Sequence, residues 1–253
     1  MHIFFVLIYQ PIYNILIILY NIFGDFGVAI IVLTLAVKFA LIPLSRKQIE
    51  SQKEMQDLQP KIKELQKKYK DDKEKLSKET MALYREHKVN PAAGCLPLIV
   101  QMIIFITMYR VIVNLSSSPD LAIHAENLYS SFVFLPQDLN KMFLGFMNIT
   151  EPFIPIAVIT ALAQFYQLKM MQTKQALQVA AVKKQDEKDV TPDFATIMQK
   201  QMLFIVPIMT LFIGLKFPSG LAIYWLTSTA FMIAQQWVVI HKEKRLSSTK
   251  DNT

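Results

Sequence analysis

The chain carries a single cysteine, Cys95, so no intramolecular disulfide holds the fold together, and that residue reads as a small packing group. Catalytic signatures are missing too. No HExxH, GxxxxGK[ST], GxSxG or GxGxxG occurs, which removes the zinc hydrolases, P-loop enzymes, nucleophile-elbow hydrolases and dinucleotide binders. His2, His87, His124 and His241 are scattered without ligand spacing, so neither a metal nor a cofactor is expected. Lys and Arg are absent from Asn114 to Asn140, a stretch that holds Asp120, Glu126 and Asp138.

What the chain has instead is apolar length. Hydrophobic residues make up 53 % of 253 positions and come in long blocks rather than in alternation, which is the composition of a membrane protein. Five runs read as crossings, over residues 26–44, 92–113, 153–171, 202–215 and 221–240. The fourth is short against the roughly 20 residues a span needs, and Pro207 and Gly214 weaken it further. Residues 1–24 are also apolar but are interrupted by Gln10, Pro11 and Asn14, with no basic leader or small-residue cleavage site. A cleaved signal peptide is not expected there, and the pattern suits a helix lying in the outer interface.

Charge placement gives orientation. Lys and Arg crowd the segment from Arg46 to Lys88, the loop from Lys174 to Lys200 and the tail from Lys242 to Lys250. Basic loops stay in the cytosol, so the N-terminus falls outside and the C-terminus inside, as an odd number of crossings requires. The formal charge of +7 points to lipid phosphate rather than to DNA, because no nucleic-acid motif or aromatic interleaving accompanies it.

Inside the first run stands Lys38. A central Lys costs roughly 2.5–3.5 kcal/mol on insertion scales, so it either snorkels to the cytosolic headgroups or faces a polar cavity. Thr34 lies four residues earlier on the same helical face. Gln101 interrupts the second run, Gln164 the third, and Tyr224, Thr227, Ser228 and Thr229 mark the fifth. Convergence of these groups makes a hydrophilic groove; the alternative is that hydroxyls bond their own backbone and the glutamines tie helices together at about 0.6 kcal/mol each.

The cytosolic segment over residues 57–90 reads as a helical hairpin. Met55, Leu58, Ile62, Leu65 and Tyr69 alternate spacings of three and four, a coiled-coil seam. The first membrane helix is expected to run on to about Leu58, with a new helix starting at Pro60, since Pro is tolerated in a first turn. Lys70-Asp71-Asp72-Lys73 turns the chain, Leu76, Thr80, Leu83 and His87 line the return arm, and Asn90-Pro91 ends it. Such a hairpin is either a solvated connector or a docking platform. Residues 172–201 read as a polar, mobile cytosolic loop, residues 114–147 as an external loop with an interfacial stretch around Phe132 to Leu135, and residues 216–220 as a tight external turn.

Several motifs in order resemble those of the YidC, Oxa and Alb membrane protein insertases. They are Pro11-Ile12-Tyr13-Asn14, Val37 to Leu44, Leu58-Gln59-Pro60-Lys61, Tyr84 to Pro91 including Arg85, Gly94-Cys95-Leu96-Pro97, Phe217 to Leu221, and Tyr224-Trp225. The likeness spans nearly the whole chain and is to the minimal form. It implies an all-α polytopic fold, a five-helix core over residues 25–240 around a cytosol-open groove, and a basic tail over 241–253. In the family the charge in the first span is usually Arg, where this chain has Lys38, and an Asn often follows Thr-Ser, where this chain has Thr229. The resemblance also implies insertion of nascent membrane proteins into the bilayer, no nucleotide hydrolysis and no enzyme activity, with Trp225 joining the groove. A ribosome, a targeting receptor and a Sec-type translocon are the further partners it brings, with Pro60, Tyr69, Tyr84 and Arg85 on the docking hairpin. A small-solute transporter or channel is the rival reading, although no internal repeat or mid-membrane acid supports ion coupling. A membrane-anchored scaffold is another.

Overall fold

In a computed structural model the chain is mostly helical, and the structure describes residues 5–70, 72–90, 96–117, 140–182 and 194–250. Cys95, the stretch Phe132 to Leu135, the charged run Lys183 to Asp189 and the side chains of the basic tail lie outside the described residues. After a π-helical turn Phe5–Tyr9 come α1 (Gln10–Phe23), α2 (Phe26–Ala40), α3 (Ile42–Asp57), α4 (Gln59–Lys68), α5 (Lys73–Glu86) and α6 (Leu96–Ser117). Strands β1 (Met142–Phe143) and β2 (Met147–Asn148) follow, then α7 (Ile154–Val182), α8 (Phe194–Lys216) and α9 (Ser219–Lys250). The runs expected to cross a membrane fall on α2, α6, α7, α8 and α9. Among the described residues, Phe5–Phe23 alone is long and apolar enough to cross by length and composition. Phe26–Ala40, Ile99–Asn114, Ile154–Met170 and Gln201–Lys216 are shorter apolar helices.

Contacts divide the chain into two compact units. The first holds Met1–Phe39, Phe105–Met170 and Pro192–Thr253; the second holds Ala40–Ile104 and Met171–Thr191.

The first unit is organised around α9. Ring contacts Phe105–Trp225 and Tyr109–Phe217, at 5.2 and 5.3 Å, place α6 against it in the opposite direction. Along α2, Ile30 approaches Gly220, where an added Cβ would lie 3.3 Å from Ile30 Cδ1, and Phe39 meets Phe231 edge-on at 5.2 Å. Both numbers rise together, so α2 and α9 run parallel. The same holds for α7, which touches α9 through Thr160 and Ala222 and again through Gln167 and Met232. Helix α8 runs against α7: Gly214 abuts Ala157, Thr210 bonds Gln164, and Phe165 stacks near Phe204. Small residues bring the two backbones close, and an added Cβ at Gly214 would sit 2.7 Å from that of Ala157.

A small hairpin braces one end of this unit. Strand β1 pairs antiparallel with β2, Met142 opposite Asn148 and Phe143 opposite Met147, around left-handed Leu144 (φ 49°) and Gly145 (φ 77°). Asp25 serves two elements: Oδ1 accepts from Val28 N at 3.1 Å and caps α2, while Oδ2 accepts from Leu144 N at 2.8 Å. The hairpin in turn caps α9, since Ile149 O and Glu151 O accept from Gly220 N and Ser219 N, and Ser219 Oγ donates to Asn148 O at 2.7 Å. The outer segment expected as loop thus ends in an ordered brace.

Two sequence expectations need correction. The first helix does not run unbroken to Leu58: it divides at Leu41, because Pro43 lacks the N–H that would bond Phe39 O, and a new helix starts around it. The second is the loop over residues 172–201. Helix α7 continues to Val182 and α8 begins at Phe194, since Gln175 to Ala181 is rich in strong helix formers. Pro207 does not stop α8, which runs through it over 23 residues.

The second unit contains the expected hairpin arms, α4 and α5. Leu58, Ile62 and Val89 are buried, with Met55, Leu83 and Tyr84 packed on them. Pro60 lies in the first turn of α4, as the motif required. Asp72 caps α5 by accepting from Lys75 N at 2.9 Å. Val89, which no periodicity marked, enters the core through the end of α5: Lys88 is left-handed (φ 55°), Lys88 N donates to Arg85 O and Val89 N to Tyr84 O. That is a Schellman turn, whose hydrophobic contact is Val89 on Tyr84. A non-glycine there costs about 1 kcal/mol. Lys88→Gly is expected to slow native-state hydrogen exchange of the Val89 amide about fivefold, the equilibrium equivalent of that energy. Unchanged or faster exchange would show that the turn carries no such strain.

Candidate functional site

The parallel run of α2 and α9 sets the depth of each polar residue. Gly220, Tyr224, Ser228, Phe231 and Gln235 recur at steps of four, four, three and four, so they share one face of α9. That face meets α2 at Gly220 and again at Phe231. From Ile30 to Phe39 is about 14 Å along α2, and from Gly220 to Phe231 about 17 Å along α9. Lys38, one residue before Phe39, therefore stands level with the turn from Ser228 to Phe231. Thr34 stands about one helical turn nearer the hairpin brace, roughly level with Tyr224.

These groups differ in how their polar atoms are spent. Thr34 is buried and donates its hydroxyl proton to Ile30 O at 2.6 Å, and Thr227 does the same to Ile223 O at 2.8 Å. Tyr224 and Ser228 are each 1 % exposed. Lys38 is only partly covered. On α7, Gln164 accepts from Thr210 of α8, a tie between helices. Trp225 faces the other way: it meets Phe105 edge-on and lines a cleft between α7, α8 and α9 with Thr160, Thr210, Gly214 and Pro218. Both threonine hydroxyls are already engaged, that of Thr160 with Ile156 O and that of Thr210 with Gln164 and Val206 O. The lining of the cleft is otherwise apolar, so it offers no charge chemistry. Thr34 and Lys38 on α2 are thus level with Tyr224 and Ser228 on α9, while Gln164 is tied to Thr210 of α8 and Trp225 meets Phe105 of α6. Gln101 is half-buried on α6 within the second unit.

Other polar residues escaped the sequence reading. Gln167 is buried and donates Nε2 only to the weak acceptor Met232 Sδ, at 3.7 Å. Gln235 Nε2 and Gln236 Oε1 are buried without a hydrogen-bond partner among the described residues. The signal was present, since paired glutamines interrupt the apolar run from Phe231 to Ile240.

In the second unit, Tyr69 follows α4 with the ammonium groups of Lys68 and Lys75 at 5.3 and 5.5 Å from its ring. Burial pushes the Tyr84 phenol above its ordinary pKa, which keeps it neutral. His87 joins the two arms, its Nε2 2.8 Å from Lys61 Nζ and its Nδ1 3.0 Å from Leu83 O. Arg85 and most lysines of the arms are exposed, and the Lys78–Glu74 ion pair at 3.2 Å is fully at the surface and worth little. Among the described residues no group of three or more His, Cys, Asp or Glu is placed to hold a metal.

Over residues 18–246 the chain matches the model of the family described as 60Kd inner membrane protein. It is 33 % identical over 219 residues to the membrane protein insertase YidC of Fusobacterium nucleatum, covering 87 % of this chain and 88 % of that one. Similarity to the protein of the same name from Lawsonia intracellularis is 32 % over 238 residues, covering 94 % of this chain but 39 % of the relative. The chain therefore spans most of the first relative and about two fifths of the second. Among solved structures it resembles an active YidC insertase crystal structure with the first transmembrane domain resolved. The TM-score is 0.58 at 27 % identity, over 92 % of this chain and 46 % of that chain.

Proposed function

Because the chain belongs to the 60Kd inner membrane protein family, we propose that it is a multi-pass insertase of the cell membrane, acting on nascent membrane proteins. In this reading α2, α6, α7, α8 and α9 supply five crossings, with α1 in the outer interface, the α4–α5 hairpin in the cytosol and the basic tail inside. The directions of α2, α7 and α9, parallel to one another and opposite to α6 and α8, support that count. The observation that carries the mechanism is the level of Lys38 beside the polar face of α9.

A client arrives as an apolar segment with a short hydrophilic tail bound for the outside. The tail enters a wet groove beside α2 and α9, where Lys38 attracts its acidic residues. The groove lowers the barrier because the tail keeps water and polar partners for part of the crossing, instead of exposing bare peptide groups to hydrocarbon. The apolar segment then passes along α7 and α9 into lipid, and each Leu, Ile or Phe contributes roughly 0.3–0.6 kcal/mol. A membrane potential negative inside adds about 2.3 kcal/mol per acidic charge per 100 mV. These terms suffice without nucleotide hydrolysis or a cofactor. The exposed lysines of the α4–α5 hairpin suit docking to a ribosome, a targeting receptor or lipid headgroups.

Purified protein in liposomes is expected to insert a one-span client with an acidic outer tail, without ATP, scored by protease protection of the tail. Insertion no faster than into empty liposomes, together with solute flux through the same vesicles, would replace this reading with a transporter.

A further inference from the structure

Helix α1 lies across the outer ends of its neighbours rather than alongside them. Near its start Tyr9 OH accepts from Asn114 Nδ2 at 3.0 Å, and Asn114 stands in the last turn of α6. About 16 Å further along, Tyr20 OH accepts from Asn140 N at 2.7 Å, and its ring lies 5.9 Å from that of Phe26, the first residue of α2. Tyr109 marks the same level, its ring 5.3 Å from Phe217 in the turn between α8 and α9.

Arg110 stands at this level and is out of keeping with its surroundings. It is exposed, it makes no ion pair among the described residues, and the stretch after it, Asn114 to Asn140, holds no Lys or Arg. Cations gather on the cytosolic side of a membrane protein, so one at the outer end of a span calls for a role. Its charge reaches the Tyr9 phenol. Ile106, one turn further into the span on the same face of α6, is 41 % exposed, and Phe5, stacked on Tyr9 at 5.2 Å, is 37 % exposed. A cation with apolar surface below and beside it matches the two parts of a phospholipid, whereas a free phosphate has no use for the apolar part.

We propose that Arg110, with Ile106 and Phe5, forms a site for an anionic phospholipid of the outer leaflet. The guanidinium pairs with the phosphodiester through parallel N–H···O bonds, and the acyl chains lie on Ile106 and Phe5. The inference rests on the reading that α6 crosses the bilayer with Asn114 outside, and it goes beyond insertion because no client takes part. The bound lipid holds the π-helical turn and α1 to α6 from the lipid side, as the Tyr9–Asn114 bond does from within.

The test places a benzophenone-bearing residue at Phe5 of the full chain, in vesicles of equal parts phosphatidylglycerol and phosphatidylcholine, each radiolabelled in turn. Crosslinking to phosphatidylglycerol is expected to exceed that to phosphatidylcholine about fivefold, the factor that one cation near a charged lipid gives. Arg110→Gln is expected to abolish the preference and Arg110→Lys to keep most of it, while Lys216→Gln, a change to the exposed cation beside Phe217, leaves it intact. The same probe at Leu162, exposed on α7, is expected to show no preference. Equal crosslinking of both lipids with Arg110 in place, a preference that survives Arg110→Gln, or a loss as complete with Arg110→Lys or Lys216→Gln each overturns the proposal. In those cases lipid contact at Phe5 still supports the placement of α1 and α6. A Phe5 probe that reaches neither lipid, while the Leu162 probe reaches both, overturns that placement and the proposal with it.

Discussion

Lys38→Ala is expected to slow insertion of an acidic-tailed client by about tenfold or more, while Lys38→Arg keeps most of the rate. A charge pair at 4 Å is worth about 1 kcal/mol in bulk water and about 4 kcal/mol near a protein surface, and a wet groove lies between those limits. Every 1.4 kcal/mol is tenfold in rate when it acts in the transition state. Arg keeps the cation but exchanges a compact ammonium for a planar fork, so its carboxylate contacts change in geometry more than in strength. Raising ionic strength should narrow the gap between wild type and Lys38→Ala, since the proposed wet groove would admit screening ions. A client with a neutral tail should show little difference. Equal loss for neutral and acidic tails would mean that Lys38 supports the fold rather than the tail.

Gly27→Ala is expected to destabilise the protein, against the ordinary sign for a helix interior. Helix propensity alone favours Ala over Gly by about 1 kcal/mol. At position 27, however, an added Cβ would lie 2.2 Å from Phe143 Cδ2 and 2.9 Å from Phe143 Cβ. Rotating the ring does not clear the second contact, so strand β1 must move, and overpacking of that kind costs about 1–3 kcal/mol. The displaced strand carries with it the Asp25–Leu144 bond and the carbonyls that cap α9, so insertion should fall together with stability. In a Phe143→Gly background both the ring and the Cβ are gone, and Gly27→Ala should become neutral or stabilising. That reversal of sign, read as melting temperature in detergent across the four proteins of the cycle, tests the brace. Two destabilisations that simply add would refute it.

Such long-range fits mark the boundary of what the sequence makes legible. Apolar run length located α2, α6, α7, α8 and α9, because each run is a local property of the chain. The seam of Leu58 and Ile62 was legible for the same reason, through its spacing. The β-hairpin was not. Its strands are two residues long, and they are held by Asp25 and Gly27, more than a hundred positions away. Val89 enters the second core only because Lys88 adopts a left-handed conformation, which no periodicity signals. At the candidate site, Lys38 announced itself by its cost in an apolar run, whereas Gln235 and Gln236 became informative only when their neighbours were seen to leave them unpaired. Gln164 showed the opposite case: a polar residue in a span that finds a helix partner in Thr210.

Water at the level of Lys38 is the claim on which the mechanism turns. With Cys95 replaced by Ser, the cysteine of Lys38→Cys can be probed in oriented membrane vesicles with a membrane-impermeant maleimide from either face. The account requires labelling from the cytosolic face and none from the outer face. A cysteine that reacts from neither face, while a control cysteine on the α4–α5 hairpin reacts from inside, would contradict it.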